Sequence, residues 1–190
     1  MKQGILLAAG FSRRFGSNKL LHPLADGVPV ALAAARRLQA ALPEVLAVVN
    51  PQDAALAALL DGEGFRVIVC PQAHEGIGAS LAWAVSQTAQ ASAWIIALAD
   101  MPCIQPATIT RVADAIEHPE ALTVPVFRGR RGHPVGFGQA YFEALVRLTG
   151  DEGARSILHR HVKRVQWLAC DDPGVIKDID TPVDLRPMAP

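Results

Sequence analysis

The feature that most constrains the fold is an alternation of short apolar runs with helix-like segments, repeated four times in the first part of the chain. Gly4–Ala9 (GILLAA), Val45–Asn50 (VLAVVN), Arg66–Cys70 (RVIVC) and Trp94–Ala99 (WIIALA) are each of strand length. Runs that are apolar at almost every position belong to strands covered on both faces. Between them, Val28–Leu42 reads as a helix closed by Pro43, and Asp53–Leu60 as a short helix stopped by DGEG. Ile77, Leu81, Val85 and Thr88 recur at helical spacing, so Ile77–Gln90 reads as a third helix. Pro106 suits the first turn of a fourth, whose buried face is Ile109, Val112, Ala113 and Ile116. Four rounds of strand and helix predict a parallel α/β sheet with helices on both faces.

The second half is less regular. Ala121–Phe127 (ALTVPVF) and His133–Phe137 (HPVGF) flank the turn-rich RGRRG, which predicts a paired element with a basic tip. Two short helices, about Gln139–Leu148 and Ala154–His161, precede a strand at Arg164–Ala169 and the tail VIKDIDTPVDL. No linker, internal repeat or low-complexity segment interrupts the chain, and 190 residues suit one domain, residues 1–190.

Composition narrows the class of function. Apolar residues make up 51% of the chain and aromatics only 5%, which favours alanine-rich helices lying close on a sheet. Eighteen basic residues balance eighteen acidic ones, so neither a nucleic acid nor a membrane surface is an expected partner. Any cluster of cations must act locally. The three cysteines, Cys70, Cys103 and Cys170, form no CxxC pair and no zinc spacing, so a reduced, cytoplasmic protein is the simplest expectation. No apolar run approaches the ~20 residues of a membrane span.

In open α/β sheets, ligands bind beyond the carboxyl ends of the parallel strands. Three polar features follow predicted strands and so share that edge. The first strand runs into Gly10–Lys19, with two glycines and the cations Arg13, Arg14 and Lys19. Glycines let backbone N–H groups approach phosphate oxygens, and Arg14 and Lys19 supply charge. The loop lacks the G-K-[ST] end of a Walker A loop and the G-x-G-x-x-G spacing of a dinucleotide site. The third strand runs into PQAHEGIGAS, which enters a helix near Ser80, where free N–H groups can meet an anion or a base edge. The fourth ends at Asp100, a carboxylate suited to Mg²⁺, which takes one or two carboxylates and leaves the rest of its shell to water and phosphate. Residue types alone leave plainer roles open: a solvated loop for residues 10–19, and a turn or cap for Asp100, Ser80 and Asp180. RGRRGHP fits a grip on a second anionic substrate or a solvated turn equally well. Cys103 has no nearby His or Asn pattern to make it a nucleophile.

Together these stretches resemble a known family. LLAAGFSRRFGSNKLL resembles the signature L-A-A/G-G-x-S-x-R-x-G-x-x-K of the MobA-like nucleotidyltransferases. EGIGASLAWAV, ALADMP, GHPVGF, GDEGARSIL and DIDTPVDL resemble their molybdenum cofactor cytidylyltransferase branch, and the motifs span residues 6 to 185. The resemblance implies a three-layer α/β/α Rossmann-like fold with a mostly parallel mixed sheet. It also implies Mg²⁺-dependent transfer of CMP from CTP to the phosphate of a molybdopterin-type acceptor, releasing pyrophosphate, with a molybdoenzyme as candidate recipient of the product. Carried onto this chain, Ala8, Ala9 and Gly10 would meet the nucleotide, Ser12 and Arg14 would line the triphosphate, and Lys19 would neutralise it. Gly78 and Ser80 would lie near the base or ribose, and Asp100 and Asp180 would hold Mg²⁺. His133 would lie towards the pterin, and Arg14, Lys19 and Asp100 would carry catalysis. The acceptor phosphate oxygen is then the nucleophile, which accounts for the lack of a Ser/His/Asp set. Ala9 gives LAAG, as in the cytidylyl branch, where the guanylyl branch typically reads LAGG. A guanylyltransferase, a transferase for a sugar or alcohol phosphate, and a non-catalytic pterin chaperone or adaptor are the alternatives.

Overall fold

A computed structural model describes residues 1–10 and 18–185. Its centre is an eight-stranded mixed sheet. Strands β1 (Lys2–Ala8), β2 (Val45–Val49), β3 (Arg66–Val69) and β4 (Ala93–Leu98) pair in parallel in the order β3-β2-β1-β4. Helices α1 (Val30–Ala41), α2 (Ala54–Gly62) and α3 (Ile77–Ser86) alternate with them, and α4 (Pro106–Asp114) follows β4.

Alternation along the strands divides the core in two. Leu6 and Ala8 of β1, Val45, Ala47 and Val49 of β2, and Ala93, Ile95 and Ala97 of β4 belong to one cluster with α1, α2 and α4. Ile5 and Leu7, Leu46 and Val48, and Trp94 and Ile96 belong to the opposite cluster with α3. This is the three-layer architecture expected from the sequence. Ala31, Ala34 and Ala35 are buried on α1, so alanine-rich helices do form its inner surface.

The sheet stops being parallel after β4. Strand β5 (Leu122–Phe127) turns through Arg128 and Gly129 into β6 (Arg130–Arg131) and β7 (Val135–Gly138). Strand β7 inserts between β4 and β5, antiparallel to both. The β5–β7 and β5–β6 registers differ by two residues, so Gly132–Pro134 form an outward kink in one return strand. This is the expected paired element, and the expected basic residues Arg128, Arg130 and Arg131 lie at its tip. Helices α5 (Phe142–Val146) and α6 (Arg155–Arg160) cover the α3 face, and β8 (Val165–Ala169) runs parallel to β5 on its other edge.

Helix ends differ from the periodic reading for local reasons. Helix α1 begins only after Pro29 and ends before Leu42, which is extended. Helix α3 stops at Ser86 rather than Gln90. There the Thr88 hydroxyl donates to the Ala84 carbonyl at 2.9 Å and accepts from Trp94 Nε1 at 3.0 Å, so it closes the helix and ties it to β4. The expected helix over residues 139–148 is a 3-10 turn, Gln139–Tyr141, running into the shorter α5.

The C-terminal tail is fastened to the carboxyl edge of the sheet. Asp172, buried, accepts from Gly174 N at 2.9 Å and from Gln105 N at 2.8 Å. Val175 O accepts from His133 N at 2.8 Å, and Asp100 O accepts from Ile179 N at 2.9 Å. Gly132 makes the close approach possible, because a Cβ there would run into the Val175 carbonyl. Gly132→Ala is therefore expected to cost roughly 1–3 kcal/mol in urea or thermal unfolding, as overpacking does. Gly62→Ala, at an open position in α2 with nothing within 4 Å of its added Cβ, is expected to be neutral or stabilising.

Candidate active site

Lys19, which opens the 3-10 turn Lys19–Leu21, reaches across the edge of the sheet. Its Nζ lies 2.8 Å from Asp100 Oδ2 and 2.8 Å from Asp180 Oδ1. Asp100 sits two residues beyond β4, and Asp180 is delivered by the tail that Ile179 pins to the Asp100 backbone. Three segments far apart in sequence thus converge on one ammonium group. The Lys19 side chain is 14% exposed and that of Asp100 22%, whereas Asp180 is 47% exposed, so solvent weakens the Asp180 arm more. Burial alone would lower the Lys19 pKa. The hydrogen bonds and charges of Asp100 and Asp180 outweigh it and hold the ammonium above the ordinary 10.5.

Asp100 Oδ1 is buried and has no hydrogen-bond partner among the described residues. An unmet buried carboxylate oxygen is costly and is an indication that a ligand completes it. Asp180 is placed by its own turn. Asp184 Oδ2 accepts from Thr181 N at 2.7 Å, Thr181 Oγ1 at 2.8 Å and Asp180 N at 3.2 Å, and the Thr181 and Asp180 donors hold the Asp184 carboxyl below its usual range.

His133 stands beside this cluster in the kink between β6 and β7. Its Nδ1 is buried without a partner among the described residues. Burial lowers its pKa below 6.5, against the Ile96 carbonyl and the charges of Asp100 and Asp178, so the imidazole is neutral at neutral pH. His133 also lines a cavity of about 320 Å³. The floor is apolar, from Leu7, Leu98 and Val124 of the strands and Leu81 and Leu158 from the covering helices, and Arg131 and Arg155 lie in its wall. Cluster and cavity therefore adjoin, with His133 between them.

The other residues singled out from sequence fall as follows. Ala8 ends β1, and Ala8 and Ala9 are both buried, while Gly10 is exposed. Ser12 and Arg14 lie outside the described residues. Gly78 and Ser80 occupy the first turn of α3, as expected. Gly78 N donates to Gly150 O at 2.8 Å, and a Cβ on Gly78 would come within 2.6 Å of Thr149 O, so contact with residues 149–150 by itself demands glycine. Ser80 is buried, and its hydroxyl bonds back to Gly76 O at 3.4 Å.

The chain matches the MobA-like NTP transferase domain over residues 4–176. It belongs to that family. It is 32% identical to the purine catabolism protein PucB of Bacillus subtilis (strain 168), over 94% of this chain and 91% of that protein. It is 28% identical to the nicotine blue oxidoreductase of Paenarthrobacter nicotinovorans, with the same coverage. Among solved structures, Rv0371c from Mycobacterium tuberculosis H37Rv superposes with a TM-score of 0.85 at 31% identity, covering 96% of this chain and 94% of that one. The structure of that protein with manganese gives a TM-score of 0.79 at 29% identity, covering 96% and 95%.

A MobA-like fold accounts for the loop, strand-end and tail residues meeting at one edge. Sequence reading missed Arg155, and it missed a polar network formed by Asn18, Asn50 and Asp53. Asn50 follows β2 directly, so the carboxyl-end rule that drew attention to Asp100 would have drawn attention to it too. Because the Lys19 pKa is higher folded than unfolded, its ion pairs stabilise fully below 10.5, and that stability is lost as pH rises through the folded value. Melting curves between roughly pH 9 and 12 should show a loss of stability in the wild type with a component that is missing in Lys19→Met.

Proposed function

We propose that this protein transfers CMP from CTP to the phosphate of a molybdopterin-type acceptor, releasing pyrophosphate and forming a cytosine dinucleotide. The observation that carries this reading is the Lys19–Asp100–Asp180 cluster beside an apolar cavity walled in part by Arg131 and Arg155. A cluster of this kind suits a triphosphate and a divalent cation, and the cavity suits a flat acceptor with an anionic group.

The donor set fits Mg²⁺. Two carboxylates held close to one ammonium, one of them with a buried oxygen to spare, match an ion that takes the rest of its shell from phosphate and water. The manganese-bound relative supports a divalent ion in this family. When bound, such an ion neutralises triphosphate charge and polarises its oxygens. Asp100 and Asp180 would hold it. Lys19, released from the carboxylates, would meet the phosphates, and Arg14 would join it in offsetting charge on the departing pyrophosphate. An acceptor phosphate oxygen attacks the α-phosphorus and forms the new P–O bond as the bond to the β-phosphate bridging oxygen breaks. The electron pair leaves with pyrophosphate, so no protein nucleophile is needed. Ser12, Gly10 and the backbone at Ala8 and Ala9 would line the nucleotide, with Gly78 and Ser80 towards its base or ribose. Neutral His133 faces the acceptor without adding a charge. LAAG at residues 7–10 supports cytosine as the base. A molybdoenzyme is the proposed recipient of the product, and the cytoplasm the proposed compartment.

Pyrophosphate release, measured with each nucleoside triphosphate and Mg²⁺, with and without molybdenum-loaded pterin acceptor, tests the reading. CTP with the acceptor should give the highest turnover. Asp100→Ala and Lys19→Met should each lower it by about 100-fold or more while the fold survives. Preference for GTP would move the reading to a guanylyltransferase. Turnover with only a sugar or alcohol phosphate would move the acceptor, and pterin binding without pyrophosphate release would make the chain an adaptor. Near-normal turnover in both variants would sink the site assignment.

A further inference from the structure

Asp53 stands at the position before α2 where an aspartate normally accepts a hydrogen bond from the first turn of the helix, yet it makes no such bond. Both of its oxygens are engaged elsewhere. Oδ1 accepts from Asn18 Nδ2 at 2.9 Å, and Oδ2 accepts from Asn50 Nδ2 at 2.6 Å. The two asparagines cannot turn away freely. Asn18 Oδ1 accepts from Leu20 N at 3.1 Å, and Asn50 Oδ1 accepts from Gln52 N at 2.7 Å, so in each case the carbonyl is committed to backbone and the amide nitrogen is left for Asp53. Asn50 is buried at the carboxyl end of β2. The network thus ties the turn that carries Lys19 to the edge of the sheet, across 35 residues of sequence.

We infer that Asp53 is a positioning residue for the nucleotide site: it braces Asn18, and through it sets where the Lys19 ammonium stands. The inference rests on the reading of Lys19 as a triphosphate-binding group. The bridge forgoes a local helix cap in favour of a long-range link, and the link ends one residue from the side chain that joins Asp100 and Asp180. Charge-assisted hydrogen bonds from two amides make it stiffer than a neutral contact would be.

The test is equilibrium binding, by calorimetry with Mn²⁺ and no acceptor, of whichever of the four nucleoside triphosphates the wild type binds most tightly. Four proteins are compared: wild type, Asp53→Ser, Lys19→Met and the double variant. Serine can cap α2, so Asp53→Ser removes the bridge without weakening the helix start. Asn18→Ser cuts the same link without touching α2, keeps a hydroxyl oxygen for Leu20 N, and serves if Asp53→Ser does not fold. Each single variant should weaken binding by about tenfold, the scale at which supporting residues act. The double variant should bind no more weakly than Lys19→Met, because Asp53 acts through Lys19. Wild-type affinity in Asp53→Ser, or a full second loss in the double variant, overturns the inference and leaves the Lys19 reading standing. Wild-type affinity in Lys19→Met overturns both.

Discussion

One ammonium group holds the carboxyl edge of the sheet together. Lys19 Nζ is the only described cation bonded to both Asp100 and Asp180, and those three residues come from the start, middle and end of the chain. Two carboxylates brought this close repel each other unless a positive charge lies between them. Lys19 provides that charge, and the backbone supports it: Ile179 N on Asp100 O, and His133 N on Val175 O, hold the tail against the β4 edge and the β6–β7 kink. The arrangement is stable by itself. Under the proposed function, Asp100 and Asp180 would hold a divalent ion in place of the ammonium, and Lys19 would then be free to meet the phosphates.

Much of this was legible in the sequence because it depends on local pattern. The four parallel strands could be placed because runs such as ILLAA and WIIALA are apolar on both faces, and the parity of Leu6 against Leu7 sends their side chains to opposite helical layers. Lys19 and Asp100 could be brought together by one rule, that side chains beyond the carboxyl ends of parallel strands share an edge. Asp180 could not be placed that way. It follows no parallel strand of the central group, and only family resemblance put it in the site.

What stayed hidden is long-range. No period in HPVGF says that β7 inserts between β4 and β5. The Asn18–Asp53–Asn50 bridge joins residues that local reading assigns to a loop, a helix start and a strand end, each with a sufficient local explanation. Helix ends were missed for a related reason. The hydroxyl of Thr88 fits the helical spacing as well as an apolar residue does, and only its bond from Trp94 shows that it closes the helix.

The same distinction bears on specificity. Ala9 is 4% exposed and belongs to the core cluster on the α3 side, with Cys70, Ala73 and Leu81. A base stacked over residues 8–10 would therefore meet backbone more than the Ala9 methyl. On the proposed reading, any effect of that methyl on base choice would pass through the packing of this cluster, which runs into the tight segment where Gly76 and Gly78 lie hard against Gly150. Close packing transmits a change of one methyl group, because there is no void to absorb it. On the proposed reading, alanine rather than glycine at position 9 would act as a spacer beneath the residues proposed to meet the base. A single-residue difference in an otherwise shared motif can in this way accompany a difference in the nucleotide accepted, without a side chain that reads the base directly.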